Sequence, residues 1–466
     1  MTSTKSKAAA GLMVEAGRAG DLLAGLIGGI QDAFSRVEPW LQAGKYVRAC
    51  LSDLGKRNGW TIAEWAGDAT PDKTQRLLNH ACWDAAMVMS VIRRFVISGL
   101  DGAAGPPGLR IGALDETGQQ KTGVSTAGVK RQYMGCAGRV ANGINTVHLS
   151  YVRQYRGHGL IGFRQWIPRE QLEDPLAQAR MGLPGDLAFA TKGELAVQIL
   201  ADAAADGLVS DFICGDEVYG ASPALRGHLE DHAQGYVLRV AKTFLLTLGS
   251  GARLSCAEVV STHLKARRRW TVASAGTGSK GERDYAWAWV ATASARHWLL
   301  IRRHLVTGEC AYHYCHVPAG QPASMRRLIT AAGLRWPVEE NFEFSKDYFG
   351  LDQSQVRLHI ALTRHTVLVM AALAVCVIAA AQARARTDTQ SAPPASPDDL
   401  PPADPGLIPL TVAEVKRLLN AATTRPRPAW HAAWWSRWRR RHQARARWFH
   451  KRARLARQRQ FAQVKP

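Results

Sequence analysis

The sequence lacks several features that would place it in other classes of protein. None of its eight cysteines forms a Cys-x-x-Cys pair, and their spacing is not that of a disulfide framework. There is no Gly-x4-Gly-Lys-Ser/Thr phosphate loop, so nothing indicates an enzyme driven by nucleotide hydrolysis. The N-terminus shows no export signal. We therefore expect free thiols in a reducing cytoplasm.

A hydrophobic run long enough to cross a bilayer is also missing. The longest candidate, residues 367–381, contains fifteen apolar residues and is flanked by His365 and Arg384. A spanning helix needs about 20 such residues, so this run predicts a buried helix of a soluble protein with no membrane partner.

Acidic residues are scarce relative to basic ones, and the excess is concentrated at one end. The 466 residues include 60 Lys and Arg against 38 Asp and Glu, a net charge of +22. Residues 425–466 alone contain fourteen Lys or Arg and no acid, so they contribute +14 of this charge. Such a segment indicates a polyanionic partner, and nucleic acid fits best.

The basic segment also contains aromatic residues, and a Pro-rich linker at 387–409 precedes it. Arginine interleaved with tryptophan can neutralise phosphates and stack on bases. The alternative is a solubilising basic extension whose tryptophans pack on the body of the protein. The tryptophans are Trp430, Trp434, Trp435, Trp438 and Trp448.

The N-terminal residues 1–105 are predicted to be helical. Near residues 59–78, two short helices are joined by a Gly-containing turn, with Thr70 as N-cap and Pro71 as first helical residue of the second. This pattern is typical of a helix-turn-helix DNA reader, but short helical pairs are also common as purely structural units.

From residue 109 the pattern changes to strands with helices between them, which predicts an α/β core. Helices are expected at 193–206 and 335–346. The expected strands are 109–114, 145–152, 161–167, 211–215, 236–240, 244–248, 285–291, 297–301 and 311–316.

Two of these strands end on a carboxylate, Asp115 and Asp216. A carboxylate at the end of a buried strand costs desolvation energy unless a cation or metal pairs with it. Carboxylate oxygens suit Mg²⁺, and Glu339 on the predicted helix 335–346 offers a third ligand. Taken singly, an Asp at a strand end is more often a cap or turn residue than a metal ligand.

The residues around these acids resemble bacterial insertion-sequence DDE transposases. The runs Leu-Asp-Glu-Thr-Gly at 114–118, Gly-Val-Lys-Arg-Gln-Tyr at 128–133 and Gly-Cys-Ala-Gly-Arg at 135–139 resemble the first catalytic block, and residues 215–220 resemble the second. Arg335, Glu339 and Lys346 reproduce the spacing of the Tyr-Arg-Glu-Lys signature, although the tyrosine position is Ala332. The resemblance covers about residues 60–357.

The resemblance implies an RNase H-like catalytic core over residues 106–386. Within it, a β-rich insertion at about 221–330 would help to handle a hairpin intermediate. Residues 1–105 would form a helical DNA-binding domain, residues 387–409 the linker, and residues 410–466 a basic C-terminal tail.

The same resemblance implies roles for individual residues. Asp115, Asp216 and Glu339 would be catalytic and hold two Mg²⁺ ions, with Mn²⁺ as a possible substitute. Glu340 is adjacent to Glu339, but the signature spacing favours Glu339. The cations expected to contact DNA are Arg335, Lys346, Lys130, Arg131 and Arg139, for which surface ion pairs and solvated loops are the alternative.

Two further groups of residues are not expected to belong to the catalytic site or to bind a metal ion. Glu116 and Glu217 are expected to continue the strands and face away from the site. The residues Cys310, His313, Cys315 and His316 have a spacing that is poor for zinc, with no second pair nearby.

The resulting hypothesis is a cut-and-paste transposase that acts on double-stranded DNA, both at the ends of the element and at the target. It would work as a homodimer in the bacterial cytoplasm, associated with the nucleoid. The alternatives are a nuclease on the same fold without strand transfer, and an inactive DNA-binding regulator derived from a transposase.

Overall fold

The computed structural model describes residues 2–278, 281–392, 400, 402–423 and 428–463. Its helices are α1 Thr2–Gly29, α2 Val37–Leu51, α3 Gly59–Ala66, α4 Asp72–Asn79, α5 Ala85–Gly102, α6 Arg169–Leu172, α7 Pro175–Met181, α8 Lys192–Ala205, α9 Glu217–Gly220, α10 Pro223–Asp231, α11 Cys256–His263, α12 Met325–Gly333, α13 Pro337–Asp347, α14 His359–Thr387, α15 Val412–Thr423 and α16 Ala429–Gln463. Its strands are β1 Arg110–Gln120, β2 Lys130–Met134, β3 Arg139–Arg153, β4 Gly157–Trp166, β5 Phe212–Gly215, β6 Tyr236–Val240, β7 Leu245–Thr247, β8 Arg253–Ser255, β9 Thr271–Gly278, β10 Gly281–Ala291, β11 His297–Arg303 and β12 Cys310–His316.

A mixed sheet of ten strands forms the centre of the molecule. Its order is β2-β3-β1-β5-β6-β12-β11-β10-β9, and β4 pairs with β3 as well. Strand β1 runs antiparallel to β3 along its whole length and parallel to β5, which is parallel to β6. The remaining neighbours in this sheet are antiparallel. The α/β class predicted from the sequence is confirmed by this sheet and the helices around it.

Helix α14 lies in the core, where it contacts α1, α2, α5 and β4. It is apolar on every side, which is typical of a helix surrounded by other elements. The run 367–381 lies within it, so the predicted buried helix is confirmed. By length and composition α14 is the one candidate membrane span in the described part of the chain, with a mean hydropathy of 2.3 in its most apolar window, of which 89% is buried.

The two short helices predicted near residues 59–78 are present as α3 and α4. Helix α3 ends at Gly67, whose φ of +81° requires a residue without a Cβ clash. The predicted start of the second helix was one residue too early. Pro71 is the N-cap of α4 rather than its first residue, and the Thr70 hydroxyl donates a hydrogen bond to Asp72 at 2.8 Å.

Three expectations about local structure near the acids are wrong. Strand β1 does not end on Asp115 but continues to Gln120, because β3 pairs with it over all eleven residues. Glu217 does not continue a strand; it begins α9. Arg335 lies in the turn between α12 and α13, because α13 begins only at Pro337.

Strands β7 to β12 extend the structure beyond β6. Strand β12 pairs with β6 and continues the sheet through β11, β10 and β9, while β7 and β8 form a separate two-stranded sheet. Their side chains, with those of α11, build a second apolar core that includes Leu246, Val259 and Leu299. In β12, Cys315 and His316 are adjacent and therefore point to opposite faces.

The segment predicted as an extended linker, 387–409, is described only in part, since residues 393–399 and 401 lie outside the described residues. At its described ends the backbone folds back on itself. The Thr389 N–H donates to the Leu407 carbonyl and the Ser391 N–H to the Pro405 carbonyl, both at 3.0 Å. Helix α15 then packs against α1 and α14.

Candidate active site

Asp115 lies in the middle of the central strand β1, opposite His148 of β3. Its side chain is buried, with 7% of the residue exposed. One carboxylate oxygen accepts the N–H of Glu116 at 2.8 Å, and the other accepts Nη1 of Arg335 at 2.5 Å. The buried charge predicted to need a cation therefore has one, the Arg335 guanidinium.

Asp216 comes directly after β5, as the sequence predicted, and serves as the N-cap of α9. Its Oδ1 accepts the N–H of Val218 at 2.9 Å. Strands β1 and β5 are parallel, with Ala113 opposite Cys214. Asp115 and Asp216 each come two residues later in the chain, and the Asp216 carboxylate is near enough to raise the pKa of Asp115.

Glu339 lies in the first turn of α13, with 45% of its side chain exposed. Its Oε1 is 3.7 Å from Nη2 of Arg335, whose other nitrogen contacts Asp115. The guanidinium thus bridges two of the three acids, although they are more than 200 positions apart in the chain.

The pKa of Asp115 is raised to about 7, mainly by burial and also by the neighbouring Glu339 and Asp216 carboxylates, while Arg335 acts in the opposite direction. Burial lowers the pKa of Arg335, but Asp115 outweighs that effect and the net pKa is raised. Glu339 and Asp216 are therefore both close enough to repel Asp115, and this repulsion favours a cation beside Asp115.

Glu340 points away from this cluster. Its carboxylate is 3.1 Å from Nε2 of His158 on β4, an interaction that lowers the pKa of Glu340. The next residue, Asn341, is fully buried; its Nδ2 donates to the Ser150 hydroxyl at 2.5 Å and its Oδ1 is 2.9 Å from Nδ1 of His158. These contacts fix α13 against β3 and β4, with Glu339 on the side of Arg335.

The donor chemistry of the site fits a divalent cation, because carboxylate oxygens are the ligands that Mg²⁺ and Mn²⁺ prefer. Within the described ranges, no three His, Cys, Asp or Glu side chains are gathered closely enough to hold a metal ion. Arg335 occupies the space between Asp115 and Glu339, so a metal ion would have to replace it there.

The remaining cations expected to contact DNA lie in two places. Lys346 is half-buried near the C-terminal end of α13. The hairpin β2–β3 carries Lys130, Arg131 and Arg139, all exposed, beyond the end of β1 that follows Asp115. Of these three, Lys130 forms an ion pair with Glu170 at 2.8 Å.

Sequence reasoning missed a polar groove with a volume of about 810 Å³ beside Lys346. Lys56, Lys121 and Arg357 line it together with Asp347 and Asp352. Burial lowers the pKa of Lys121 to about 8, and its Nζ donates to the Ser354 carbonyl at 2.7 Å. The basic residue Lys121, directly after Gln120, is the sequence signal for this groove. The predicted end of β1 lies several residues before Lys121, so the sequence alone does not connect this residue with the site.

Glu116, expected to face away from the site, forms an ion pair with Lys192 of α8 and accepts the Tyr219 hydroxyl at 3.3 Å. Its carboxylate is thus engaged on the α8 side of the sheet. Glu217 forms an ion pair with Arg239 at 3.1 Å.

Comparison with known proteins identifies the family. A family model described as DDE superfamily endonuclease matches residues 32–308, more than half of the chain. The chain belongs to the DDE superfamily of endonucleases. The resemblance to DDE enzymes inferred from the residue blocks is thereby confirmed. The matched region of this chain contains Asp115 and Asp216 and ends before Glu339.

Two further likenesses concern transposases. The probable transposase for insertion sequence element IS701 of Microchaete diplosiphon is 29% identical over 182 residues, 39% of this chain and 43% of the relative. The chain thus spans less than half the length of that relative. The cryo-EM structure of the piggyBac transposase synaptic complex with hairpin DNA is similar with a TM-score of 0.44 and 10% identity, covering 86% of this chain and 76% of that one.

Proposed function

We propose that this DDE endonuclease is a DNA transposase that moves an insertion sequence by cutting and joining DNA strands. The main support is the Arg335 guanidinium, which contacts Asp115 and Glu339, while Asp216 follows β5, the parallel neighbour of β1. The similarity to the IS701 transposase over 182 residues points to the same activity.

We infer that the core is RNase H-like. The support is the strand order β4-β3-β1-β5-β6, in which β1 is antiparallel to β3 and parallel to β5. The domain limits follow the sequence: a helical DNA-binding part at 1–105, the core at 106–386 with its insertion at about 221–330, the linker at 387–409 and the basic tail at 410–466.

We assign Asp115, Asp216 and Glu339 as catalytic residues that hold two Mg²⁺ ions or, in their place, Mn²⁺. When bound, the ions would activate the attacking oxygen and stabilise the leaving oxygen. Asp115 would exchange its contact with Arg335 for one with a metal ion. The Arg335 guanidinium would then be free to hold a phosphate of the strand being cut, because its fork matches two phosphate oxygens.

The chemistry needs no nucleoside triphosphate. Water attacks the phosphodiester at the end of the element, one P–O bond forms, and the bond to the 3′ oxygen breaks to leave a 3′-hydroxyl. This hydroxyl then attacks a phosphodiester of the target DNA, again exchanging one P–O bond for another. The absence of a phosphate-loop sequence is consistent with this scheme.

Glu339 is a better candidate than Glu340 for the third acid. The Glu340 carboxylate is engaged with His158, whereas Glu339 lies near Arg335 and is exposed to incoming ligands. Lys346 and the exposed Arg131 and Arg139 remain candidates for phosphate contacts, and Lys130 would first have to leave Glu170. The partners would be double-stranded DNA and a second copy of the chain, in the bacterial cytoplasm at the nucleoid.

The first test of this function uses isosteric variants of the acids. Asp115→Asn, Asp216→Asn and Glu339→Gln should each lower Mg²⁺-dependent cleavage of a duplex carrying the element's end by about 10³-fold or more, because each removes a charged metal ligand. Duplex binding without metal should be retained. Glu340→Gln is the matched control and should stay within a few-fold of the unmodified protein; loss in this variant with activity retained in Glu339→Gln would reverse the assignment.

A second test separates the transposase from its two alternatives. The protein is given duplexes that already end in a free 3′-hydroxyl, together with a supercoiled target plasmid. A transposase joins the ends to the plasmid, whereas a nuclease of the same fold only cuts. Metal-dependent cutting without any joined product would favour the nuclease, and binding without either reaction would favour the inactive regulator.

A further inference from the structure

The basic C-terminal helix α16 is attached to the helical pair α3–α4 through an aromatic anchor, which we define as His431, Trp434, Trp435 and Trp438. Trp435 is completely buried, and its Nε1 donates to the Asp68 carbonyl at 3.0 Å. Trp434 donates to the Ala69 carbonyl at 2.8 Å. These acceptors lie in the turn between α3 and α4, so the anchor joins α16 to the turn of the pair.

The anchor also contacts α3 itself. His431 donates from Nε2 to the Glu64 carbonyl at 2.8 Å, and Arg439 forms an ion pair with the Glu64 carboxylate. The Trp60 ring meets the Trp438 ring edge-on, with centroids 4.9 Å apart. Two turns of α16 are therefore held against α3, and the position of the rest of the helix follows from them.

A groove with a volume of about 500 Å³ lies between α4 and α16, and we name it the α4–α16 groove. Asp72 and Gln75 line it from α4, and Arg437, Arg441 and Arg445 line it from α16. The three arginines follow one another at four-residue steps, about 6 Å along the helix, so they form a row on one face. All three side chains are exposed.

Most of the positive charge on the described side chains of α16 has no carboxylate partner within the protein. The helix contains eleven Lys or Arg and no acid. Among the side chains that the structure describes, only Arg439 of this helix has a carboxylate partner. Like charges one turn apart destabilise a helix, so a bound polyanion would relieve the repulsion.

Resting on the transposase function, we propose that α4 and α16 form one composite surface that binds a DNA duplex along the α4–α16 groove. Helix α4 exposes Lys73, Gln75 and Arg76, residue types that contact base edges and phosphates. The arginine row of α16 supplies further phosphate contacts beside them. Helix α16 is thus docked on the body of the protein and forms, together with α4, a DNA-binding unit of two helices.

The first experiment compares two double variants of α16. One removes two positive charges from the groove, and the other removes two positive charges outside it. Arg437→Gln/Arg441→Gln removes two groove arginines, and Arg440→Gln/Arg447→Gln removes two exposed arginines of another face. Binding to a labelled duplex is measured by fluorescence anisotropy in EDTA over a salt series. The groove variant should reduce the slope of log affinity against log salt by about 1.8, and the control by less than half of that. Equal effects of the two variants would overturn the groove.

The second experiment detaches the helix without removing any charge. Trp435→Ala removes the buried ring of the anchor, and Trp448→Ala removes an exposed ring further along α16 as the matched control. Trp435→Ala should lower duplex affinity about tenfold although every arginine remains, because docking preorganises the surface. Trp435→Phe, which keeps most of the ring, should restore much of it. Unchanged affinity in Trp435→Ala, with a normal circular dichroism spectrum, would refute the composite surface.

Binding measurements on the same variants identify the ligand of the groove. They also test the composite surface independently of the proposed transposase function. Tighter binding to single-stranded RNA or to phosphatidylserine vesicles than to the duplex would overturn the proposal. Binding is measured in EDTA, so it does not depend on catalysis. If the groove variants bind DNA more weakly but the unmodified protein never cuts DNA, the composite surface stands and the transposase function is refuted. If the protein cuts DNA but the groove variants bind normally, the transposase function stands and the composite surface is refuted.

Discussion

Arg335 is the cation that connects the acids of the candidate site. It neutralises Asp115 and approaches Glu339, while Asp216 directly follows the neighbouring strand β5. A buried carboxylate left without any cation would be costly, so the arginine stabilises the fold when the acids hold no metal ion. The same contact competes with any metal ion that binds between these acids.

This competition predicts that Arg335→Gln binds Mn²⁺ more tightly in the absence of DNA, by roughly tenfold, because the ion no longer displaces a guanidinium. DNA cleavage by the same variant should fall by about 10²-fold, because a phosphate contact is lost. Isothermal titration calorimetry with Mn²⁺ measures the first effect. Arg327→Gln, whose arginine pairs with Asp211, is the control. Weaker Mn²⁺ binding by Arg335→Gln would contradict the competition.

A buried histidine away from the site predicts how stability depends on pH. Nδ1 of His365 is 2.8 Å from the Tyr46 hydroxyl and Nε2 is 3.2 Å from the Leu351 carbonyl, so the neutral ring satisfies both partners. Burial lowers the pKa of His365 to about 4. The unfolded chain therefore takes up this proton first as the pH falls below about 6.5, and stability is lost until the folded pKa is reached.

We expect His365 to account for about 2 kcal/mol of the stability lost between pH 7 and pH 5. Urea denaturation at the two pH values measures it. His365→Gln should start from a lower stability but lose about that much less on acidification, whereas the exposed His80→Gln should behave like the unmodified protein. Equal pH dependence of His365→Gln and the unmodified protein would contradict this expectation.

At the scale of elements, Asp216 depends on the short helix α9 that it caps. Gly220, the last residue of α9, lies so close to β6 that an added Cβ would be 1.8 Å from the Arg239 carbonyl oxygen. Helix α9 contacts β5, β6 and α8, which leaves it little room to move. A side chain at Gly220 would therefore displace Asp216.

Gly220→Ala should lower the free energy of unfolding by about 1–3 kcal/mol. It should also reduce the rate of DNA cleavage by a larger factor than the affinity for duplex DNA. Gly227→Ala is the matched control, since this glycine of α10 has open space where its Cβ would be. It should be neutral or stabilising by up to about 1 kcal/mol, because alanine favours the helix. Denaturation curves and cleavage rates check both variants; equal stability of the two would show that β6 yields easily.

At the scale of the whole molecule, charge is segregated: the last 42 residues provide +14 of the +22. A chain ending at residue 424 should bind duplex DNA more weakly and with a flatter salt dependence, the slope falling by about 0.9 for each lost phosphate contact. Anisotropy titrations over a salt series test this, with thermal unfolding as the check that the rest stays folded. An unchanged slope would remove the tail from the DNA-binding surface.

The sequence by itself determined the properties that depend on local pattern and composition. The buried apolar helix around residues 367–381, the α3–α4 pair and most strands of the sheet follow from periodicity, and the family follows from short residue blocks. Strands β2, β8 and β9 were missed, and the end of β1 was misplaced, because backbone pairing with a neighbouring strand extends or creates them and their own residues show no clear alternation.

Only the tertiary structure decided how distant residues meet. The contact of Arg335 with Asp115, the engagement of Glu340 by His158 and the docking of Trp435 on Asp68 each join segments far apart in the chain. No spacing rule predicts such contacts, because they depend on strand register and on the angle at which helices pack. Local sequence sets which groups are available, and packing sets which of them share a site.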